Sequence, residues 1–185
     1  WDKLAVSNGT QSVDARLKMN RLGATLLMIS KGTVFFQAGE EYGRTKFGDG
    51  NSYRSDPELN MIRWNQTLEF SDLVAYYEGL IRLRKKLPGL CDKSADAIKR
   101  ISGKKVWREG VVSFCVDNMD QDGESKWSSL FIAYNNNTQS VYVDLPEGTW
   151  TVLADKYHTD CEKMPIFTTD GQLIIDGCSG IIIGK

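Results

Sequence analysis

The run from Gly32 to Glu41, G-T-V-F-F-Q-A-G-E-E, constrains the fold of this chain more than any other stretch. A short apolar run bounded by glycines indicates a buried β-strand, here over Thr33–Gln37. A lone strand between two helices cannot make a complete sheet, because its backbone N–H and C=O groups need partners on both sides. The run therefore predicts either pairing with strands that this chain does not contain, or a chain that is a fragment.

Helical patterns lie on both sides of this strand. Apolar residues recur at helical spacing over residues 12–30, with Ser12 as the predicted N-cap and Gly32 just beyond the last turn. A second helix is predicted over residues 71–87, with Ser71 as its N-cap, basic residues in its last turn and a proline directly after it. The first part of the chain is therefore helix, strand, long loop and helix.

The remainder of the chain has a different pattern. Residues 94–101 are predicted to form a short helix, and from Lys105 onward β-rich runs alternate with turn residues. Runs of this number and spacing indicate an antiparallel sandwich. We divide the chain into residues 1–92 and an all-β domain over residues 93–185. The predicted strands are Val111–Val116, Trp127–Tyr134, Ser140–Leu145, Thr149–Ala154, Gln172–Ile175 and Gly180–Ile183.

The long polar segment from Gly39 to Glu69 carries the candidate site. Loops of this length in compact domains are usually functional or disordered, and the Tyr, Trp, Arg and Asn content of this one suits a polar, ring-shaped ligand. Asn51 and Tyr53 are the candidate substrate-binding residues, through hydrogen bonds and stacking. The alternative is a loop held by its own side chains, with an Asx-turn at Asn51, and residue types favour neither. Trp64 is predicted to anchor the loop rather than to bind a sugar.

We expect structural roles for most of the titratable residues that could be taken as catalytic or metal-binding. Glu40 and Glu41 follow the predicted strand, but adjacent carboxylates point in different directions, so we expect them to accept hydrogen bonds from loop amides or to pair with Arg44. The acidic residues over 117–124 depart from the EF-hand spacing, which favours a solvated hairpin tip over a calcium loop. His158 has no neighbouring Ser, Cys or acid in a triad pattern and is predicted to be an ordinary loop histidine.

Composition excludes several classes of function. The net charge of −1 gives no electrostatic support for binding nucleic acid or an anionic membrane, and no apolar run approaches the ~20 residues that span a bilayer. One histidine and four scattered cysteines predict no zinc site, and nothing indicates a cofactor. We expect four buried or semi-buried thiols, with a Cys161–Cys178 bridge as the weaker alternative. Trp107, Trp127 and Trp150 are predicted to pack in the sandwich core, with a binding platform as the minority interpretation.

Several motifs in the first half resemble one enzyme family. They are the run Gly32–Glu41, Arg44-Thr45-Lys46, Asn51-Ser52-Tyr53, Asn60-Met61-Ile62-Arg63-Trp64, the helix segment Tyr76–Lys85, and Trp1-Asp2-Lys3-Leu4. Together they resemble the last strand, loop and helix of the catalytic barrel in type I pullulanases. These are the α-1,6-debranching members of the α-amylase superfamily, glycoside hydrolase family 13. The β-rich remainder is similar in position and pattern to the C-terminal sandwich of that family.

The resemblance implies an α+β chain, in which the terminal helix–strand–helix piece of a (β/α)8 barrel precedes an all-β antiparallel C-terminal sandwich. It implies retaining hydrolysis of α-1,6 branches in pullulan, glycogen and limit dextrins, which needs two carboxylates about 5 Å apart. In the family, the catalytic carboxylates precede the segment that Trp1 matches. We therefore expect no catalytic residue in this chain and no activity from it alone. By motif position, Asn51 and Tyr53 border the substrate cleft, and Glu40 is a structural acid.

Two other functions remain open from the sequence. The chain is alternatively a non-catalytic α-glucan-binding module, or the sandwich has only a structural role. The expected partners are an α-glucan, through the full-length parent, and the missing barrel segment, with self-association through an exposed strand edge and neither nucleic acid nor membrane. The sequence leaves the compartment open, with the cytoplasm favoured over secretion.

Overall fold

The computed structural model describes residues 1–9, 12–120, 122–123, 125–159, 166–169 and 171–185. A helical layer comes first in the chain, followed by antiparallel strands. The α-helices are α1 Asp2–Asn8, α2 Val13–Ile29, α3 Pro57–Asn60, α4 Gln66–Glu69, α5 Ser71–Lys86 and α6 Pro88–Cys91. Short 3-10 turns cover Glu40–Tyr42, Ser52–Arg54 and Ala95–Arg100.

The two long helices begin and end close to the predicted residues. Ser12 caps α2 as predicted, because its Oγ accepts a hydrogen bond from the Ala15 amide at 3.3 Å. The prediction of Ser71 as the N-cap of α5 was wrong, since Phe70 occupies that position and Ser71 lies in the first turn. The C-terminal end of α2 is held from α5: the Arg84 guanidinium donates to the carbonyl oxygens of Ser30 at 2.8 Å and Gly32 at 2.7 Å.

The segment predicted as a strand, Thr33–Gln37, is extended but is not a β-strand in the described structure. Its side chains still alternate, since Val34 and Phe36 pack against the helical core whereas Phe35 is 87% exposed. All the strand pairs in the described part of the chain lie within residues 101–184, so no described strand is hydrogen-bonded to this segment. The prediction was therefore wrong for this chain, because a strand exists only by pairing.

The strands form two antiparallel sheets. The larger sheet has the order β1-β2-β3-β8-β5-β6, and β4 pairs with β7 in the smaller one. The six predicted strands are present, Gln172–Ile175 with the predicted ends and the other five with shifted ends, while β6 was not predicted and β1 begins before Lys105. The bounds are β1 Ile101–Arg108, β2 Val111–Asp117, β3 Ser129–Asn135, β4 Val141–Asp144, β5 Gly148–Ala154, β6 Ile166–Thr169, β7 Gln172–Ile175 and β8 Ser179–Gly184.

The larger sheet lies between two apolar layers. One of its faces packs against the small sheet around buried residues such as Phe131, Val143 and Trp150. Its other face packs against α2 and α5, where Leu22, Leu80, Leu130 and Ile182 belong to one cluster. The helices and the sandwich therefore share a core, and the fold has three layers.

A polar contact fixes the helical layer on the sheet. The Tyr76 hydroxyl donates to the Asp155 carbonyl at 2.8 Å and lies 2.9 Å from the Thr25 hydroxyl, while the Thr159 hydroxyl donates to the Tyr76 carbonyl at 2.9 Å. Burial raises the pKa of Tyr76 to about 12, so its hydroxyl stays neutral and keeps its proton to donate. At Gly79, a Cβ would lie 1.9 Å from the Thr159 Oγ1, so only glycine fits this approach.

Candidate functional site

Asn60 organises the loop that carries Asn51 and Tyr53. Its Nδ2 donates to the carbonyl oxygens of Ser52 at 2.8 Å and Ser55 at 3.3 Å. Its Oδ1 accepts from the Ser52 hydroxyl at 3.0 Å and from the Lys46 ammonium group. One half-buried amide thus satisfies several groups on both sides of the 3-10 turn Ser52–Arg54, which gives that turn a fixed position without a regular helix or strand.

The acids at the start of the loop bind its backbone. Glu41 accepts from the Gly39 amide at 2.8 Å, and Glu40 accepts from the Gln37 amide at 3.4 Å. Arg44 donates to carbonyl oxygens instead, to that of Ala38 at 3.0 Å and to that of Asn60. Of the two structural roles expected for these acids, the structure shows the hydrogen bonds from loop amides, while the contacts given for Arg44 are to carbonyl oxygens.

Asp2 joins the first helix to the same loop. Its Oδ2 accepts from the Thr45 hydroxyl and from the Gly48 amide at 3.3 Å. Burial pushes the pKa of Asp2 upward, but hydrogen bonds from Thr45 and Gly48 outweigh it, so the pKa lies below its usual value. Asp2 therefore stays ionised at neutral pH and acts as a tether.

The loop exposes a group of aromatic side chains to solvent. Tyr53 is 72% exposed, Trp64 is 68% exposed and Phe47 is 64% exposed. Two of the rings each have an arginine over them. The guanidinium carbon of Arg54 lies 5.2 Å from the ring centroid of Tyr53, and that of Arg63 lies 5.2 Å from the ring centroid of Phe47. Exposed rings with guanidinium and amide groups beside them can stack on, and hydrogen-bond to, a hydroxylated ring.

Trp64 does not anchor the loop as predicted. The anchor is Tyr42, which is 1% exposed, and the Trp64 ring lies outside it at a centroid distance of 6.3 Å. Phe47 was missed by sequence reasoning, and its backbone φ of 50° is unusual for a residue other than glycine. The glycine at the next position and the acid after it indicate a turn but give no sign of the exposed ring.

Asn51 and Tyr53 both point into solvent at the outer rim of the loop. The Asx-turn was predicted at the wrong residue: the Asn51 amide N–H donates to Asp49 Oδ1 at 2.8 Å, so Asp49 supplies the acceptor. A hydrogen bond from Ser55 lowers the pKa of Asp49, with the Asn51 amide acting in the same direction. The Asn51 side chain is therefore not needed to hold this turn.

The other candidate groups have structural surroundings. His158 is exposed, with its Nδ1 3.2 Å from Asp155 Oδ1, which fits an ordinary loop histidine. Cys91, Cys115 and Cys178 are free thiols, which does not support the Cys161–Cys178 bridge, and Cys161 itself lies outside the described residues. Within the described ranges, no cluster of His, Cys, Asp and Glu could hold a metal ion. The acidic loop over 117–124 includes positions 121 and 124, which also lie outside them.

The sandwich tryptophans pack as predicted. Trp150 and Trp127 are buried, and Trp107 is half-buried with its Nε1 donating to the Ser113 hydroxyl at 2.9 Å. The Lys105 ammonium lies 3.4 Å from the Trp107 ring centroid and covers it. None of the three presents an open face comparable to that of Trp64. Among the described helices, none is long and apolar enough to cross a membrane.

Comparison with known proteins connects both halves of the chain to one group of enzymes. Residues 105–158 match the family profile described as pullulanase, all-beta domain. The chain is 28% identical over 146 residues to a pullulanase of Bacillus subtilis (strain 168), an alignment that covers 79% of this chain and 20% of that protein. The chain therefore spans about a fifth of the length of this relative.

Solved structures match the whole length of the chain. A pullulanase from Bacillus acidopullulyticus superposes with a TM-score of 0.88 at 28% identity, covering 100% of this chain and 22% of the other. A pullulanase from Anoxybacillus sp. LM18-11, solved with maltotetraose, gives a TM-score of 0.85 at 25% identity, with 100% and 26% coverage. Because both matches include the helical layer and the sandwich, the arrangement of the two is also similar in these enzymes.

Proposed function

We propose, on the premise that this chain is a type I pullulanase-like C-terminal part, that the protein containing it hydrolyses α-1,6 branches of α-glucans such as pullulan, glycogen and limit dextrins. The observation that carries this proposal is the full-length structural match to a pullulanase at a TM-score of 0.88. The sequence match to the pullulanase all-beta domain over 105–158 supports the same conclusion independently.

We assign residues 1–92 to the end of a (β/α)8 barrel and residues 93–185 to the C-terminal sandwich. The segment over Thr33–Gln37 supports this division, because it is extended and unpaired within the described structure. Val34 and Phe36 face the helices, as the outer side chains of a barrel strand do, and the exposed Phe35 faces the opposite way. In this proposal the missing strands pair with the segment and cover Phe35.

The chain itself contributes to substrate binding and not to the chemical step. Retaining hydrolysis requires a nucleophile and an acid/base carboxylate about 5 Å apart. The two acids next to the loop, Glu40 and Glu41, already accept backbone hydrogen bonds. We therefore place the catalytic carboxylates in the barrel segment that precedes this chain in the parent protein.

The release of reducing ends from pullulan tests this proposal. The full-length protein should cleave pullulan, and the isolated 185-residue chain should release nothing above background. Turnover by the isolated chain would contradict the placement of the catalytic carboxylates outside it. A full-length protein that cleaves only α-1,4 bonds would contradict the proposed substrate class.

Asn51 and Tyr53 are proposed to contact the glucan at the edge of the cleft. Their exposure and the fixed turn beside them support this assignment, since a ring held by its backbone loses little entropy on stacking. In the full-length protein, Tyr53→Ala should reduce kcat/KM about fivefold, mainly through KM, because a stacked ring contributes about 1 kcal/mol. Tyr142→Ala, at an exposed tyrosine of the small sheet, is the matched control. Equal effects of both changes would refute the assignment.

A second candidate is a non-catalytic glucan-binding module, favoured by the three exposed aromatic rings Phe47, Tyr53 and Trp64. All three lie in the loop of the helical part, and the sandwich tryptophans are covered, so a binding face on the sandwich has no support here. Calorimetric titration of the isolated chain with maltooligosaccharides distinguishes the two. Submillimolar affinity favours the module, and its absence favours the enzyme part.

Self-association is the expected behaviour of the isolated chain. The backbone over Thr33–Gln37 has no strand partner among the described residues and, with Phe35 beside it, resembles an open sheet edge. Sedimentation should show dimers of the isolated chain, and the Phe35→Lys variant of that chain should be monomeric. The full-length protein should not dimerise through this segment, because its other barrel strands cover the edge. A strictly monomeric isolated chain would contradict an available edge.

A further inference from the structure

A cavity of about 530 Å³ lies at the junction of the helical layer and the sandwich, away from the loop that carries Asn51 and Tyr53. Its lining comes from α2, α5 and the segment after β5, and includes Arg21, Arg82, Tyr157 and His158. Small-molecule sites commonly have volumes between about 300 and 1,000 Å³. The cavity is therefore large enough for a ligand the size of a single sugar ring with a substituent.

Arg21 is the unusual residue in this cavity. Its side chain is only 9% exposed, yet no ion pair or side-chain hydrogen bond holds its guanidinium within the described part of the chain. The Nε atom is enclosed and has no hydrogen-bond partner there. The guanidinium carbon lies 5.7 Å from the ring centroids of both Tyr76 and Tyr157, so two aromatic rings flank the charged group. A buried, permanently charged group without a counter-ion is costly, and a bound anion removes this cost.

A second arginine lines the same cavity, and a lysine lies beside one of its aromatic rings. Arg82 is exposed on the cavity wall and is joined to Glu78 only at 3.7 Å, a weak surface contact from which its guanidinium can turn. The Lys156 ammonium lies 4.9 Å from the centroid of the Tyr157 ring.

Among the residues that the structure describes, the acids near the cavity are few and mostly engaged. Asp72 is exposed on the wall, and Asp155 accepts from the amides of Tyr157 and His158 at 2.7 Å each. Asp176 pairs with Lys156 at 2.9 Å and Glu78 with Arg82. Asp72 is thus the acid that remains on the described part of the wall, and its carboxylate can accept hydrogen bonds from the hydroxyl groups of a ligand.

We propose that this cavity is a binding site for a small phosphate monoester with a hydroxylated organic group, such as a sugar phosphate. The phosphate accepts hydrogen bonds from the planar fork of Arg21 and from Arg82, because guanidinium groups match phosphate oxygens in pairs. The organic group lies against the half-exposed Tyr157 ring, and its hydroxyls donate to Asp72. Two arginines favour a dianion over a single carboxylate. The site does not depend on the proposed activity.

Calorimetric titration of the full-length natural protein with glucose 6-phosphate, inorganic phosphate and glucose tests the proposal. Glucose 6-phosphate should bind in the micromolar to millimolar range, inorganic phosphate more weakly, and glucose not at all. Binding should weaken as salt rises, because the contact is charge-dependent. Binding of glucose alone, or no binding of glucose 6-phosphate at millimolar concentration, overturns the proposal.

Variants separate a site from a general effect of charge. Arg21→Met keeps the volume and should weaken glucose 6-phosphate binding at least about tenfold, since a charged hydrogen bond contributes roughly 1.5–3 kcal/mol. Arg82→Gln, at an exposed position, should weaken it about three- to tenfold even if Arg21→Met fails to fold. Arg108→Gln, an exposed arginine of β1, is the matched control and should change nothing. Equal losses in the Arg82 and Arg108 variants overturn the proposal.

Asp160 and Glu162 follow Thr159 in the sequence and lie outside the described residues. The double variant D160N/E162Q tests whether an internal acid fills the role of the ligand. If the natural protein does not bind glucose 6-phosphate and the double variant does, the counter-ion of Arg21 is internal and the proposal is overturned. Equal binding by both proteins supports a site open to ligand.

Discussion

Phe35 provides the sharpest test of how this chain fits into a larger protein. Its ring is 87% exposed in the described structure, although it lies between Val34 and Phe36, which both pack against the helices. If the segment over Thr33–Gln37 is a barrel strand, the absent strands bury Phe35 and leave the packing of Phe36 unchanged. The two neighbouring phenylalanines should therefore respond differently to truncation in the isolated chain and in the full-length protein.

The size of the difference follows from burial. In the isolated chain, Phe35→Ala removes almost no buried area, so the free energy of unfolding should change by no more than about 0.5 kcal/mol. In the full-length protein the same change removes a core ring and should cost about 3–5 kcal/mol. Phe36 is half-buried, with its ring centroid 5.8 Å from that of Tyr77, so Phe36→Ala should cost roughly 1–3 kcal/mol in both proteins.

Urea unfolding followed by circular dichroism measures both proteins, and Phe36→Ala serves as the matched control. For the full-length protein, the relevant value is that of the transition in which the barrel unfolds, since a multidomain protein need not unfold in one step. A full-length protein that tolerates Phe35→Ala but is destabilised by Phe36→Ala would refute the barrel assignment. An isolated chain destabilised by Phe35→Ala would show that another segment covers the ring.

Two further predictions concern the packing and the acid stability of the chain. Gly79→Ala should destabilise the protein by about 1–3 kcal/mol in urea unfolding, because the new Cβ overlaps Thr159, while Gly23→Ala, with nothing within 4 Å, should be neutral or stabilising by up to about 1 kcal/mol. The hydrogen bond from Arg100 lowers the pKa of Asp92 from 3.8 to about 2. The stabilisation from this pair is complete above the unfolded-state pKa and is lost as pH falls from about 4 to about 2, so Asp92→Asn should flatten the pH dependence of unfolding in that window. An unchanged slope, or equal tolerance of both alanines, would contradict these arguments.

The regular elements were predictable from local rules. Ser12 caps α2 where a helical apolar pattern begins, and the alternation in Val141–Asp144 places Val143 in the core and Tyr142 in solvent. The first half of β1 gave no such signal, because its side chains are mostly exposed and carry no alternation. This half is a strand because it pairs with β2. Whether a segment forms a strand depends on its neighbour in the sheet as well as on its own residues.

The candidate site was predictable in composition but not in orientation. Tyr42 and Trp64 are both aromatic residues of one loop, and the sequence indicates that an aromatic ring anchors it without indicating which one. The structure buries Tyr42 after the tight turn at Gly39 and leaves Trp64 in solvent. Which ring is buried depends on the surface against which the loop packs. That surface belongs to α5, whose residues come later in the chain. Long-range packing therefore decides which side chains are available to a ligand.

The boundary near residue 92 separates two sequence patterns but does not divide the apolar core. Composition divides the chain there, but the apolar cluster crosses the boundary and joins Leu80 of α5 to Ile132 of β3. Asn118 reinforces the junction, because its Oδ1 accepts from the Gly89 amide at 2.9 Å and its Nδ2 donates to the Trp127 carbonyl. The two parts thus share one core instead of meeting across a linker. Removing the sandwich would uncover the apolar faces of α2 and α5, so its absence should cost solubility and stability before it alters any preference for substrate.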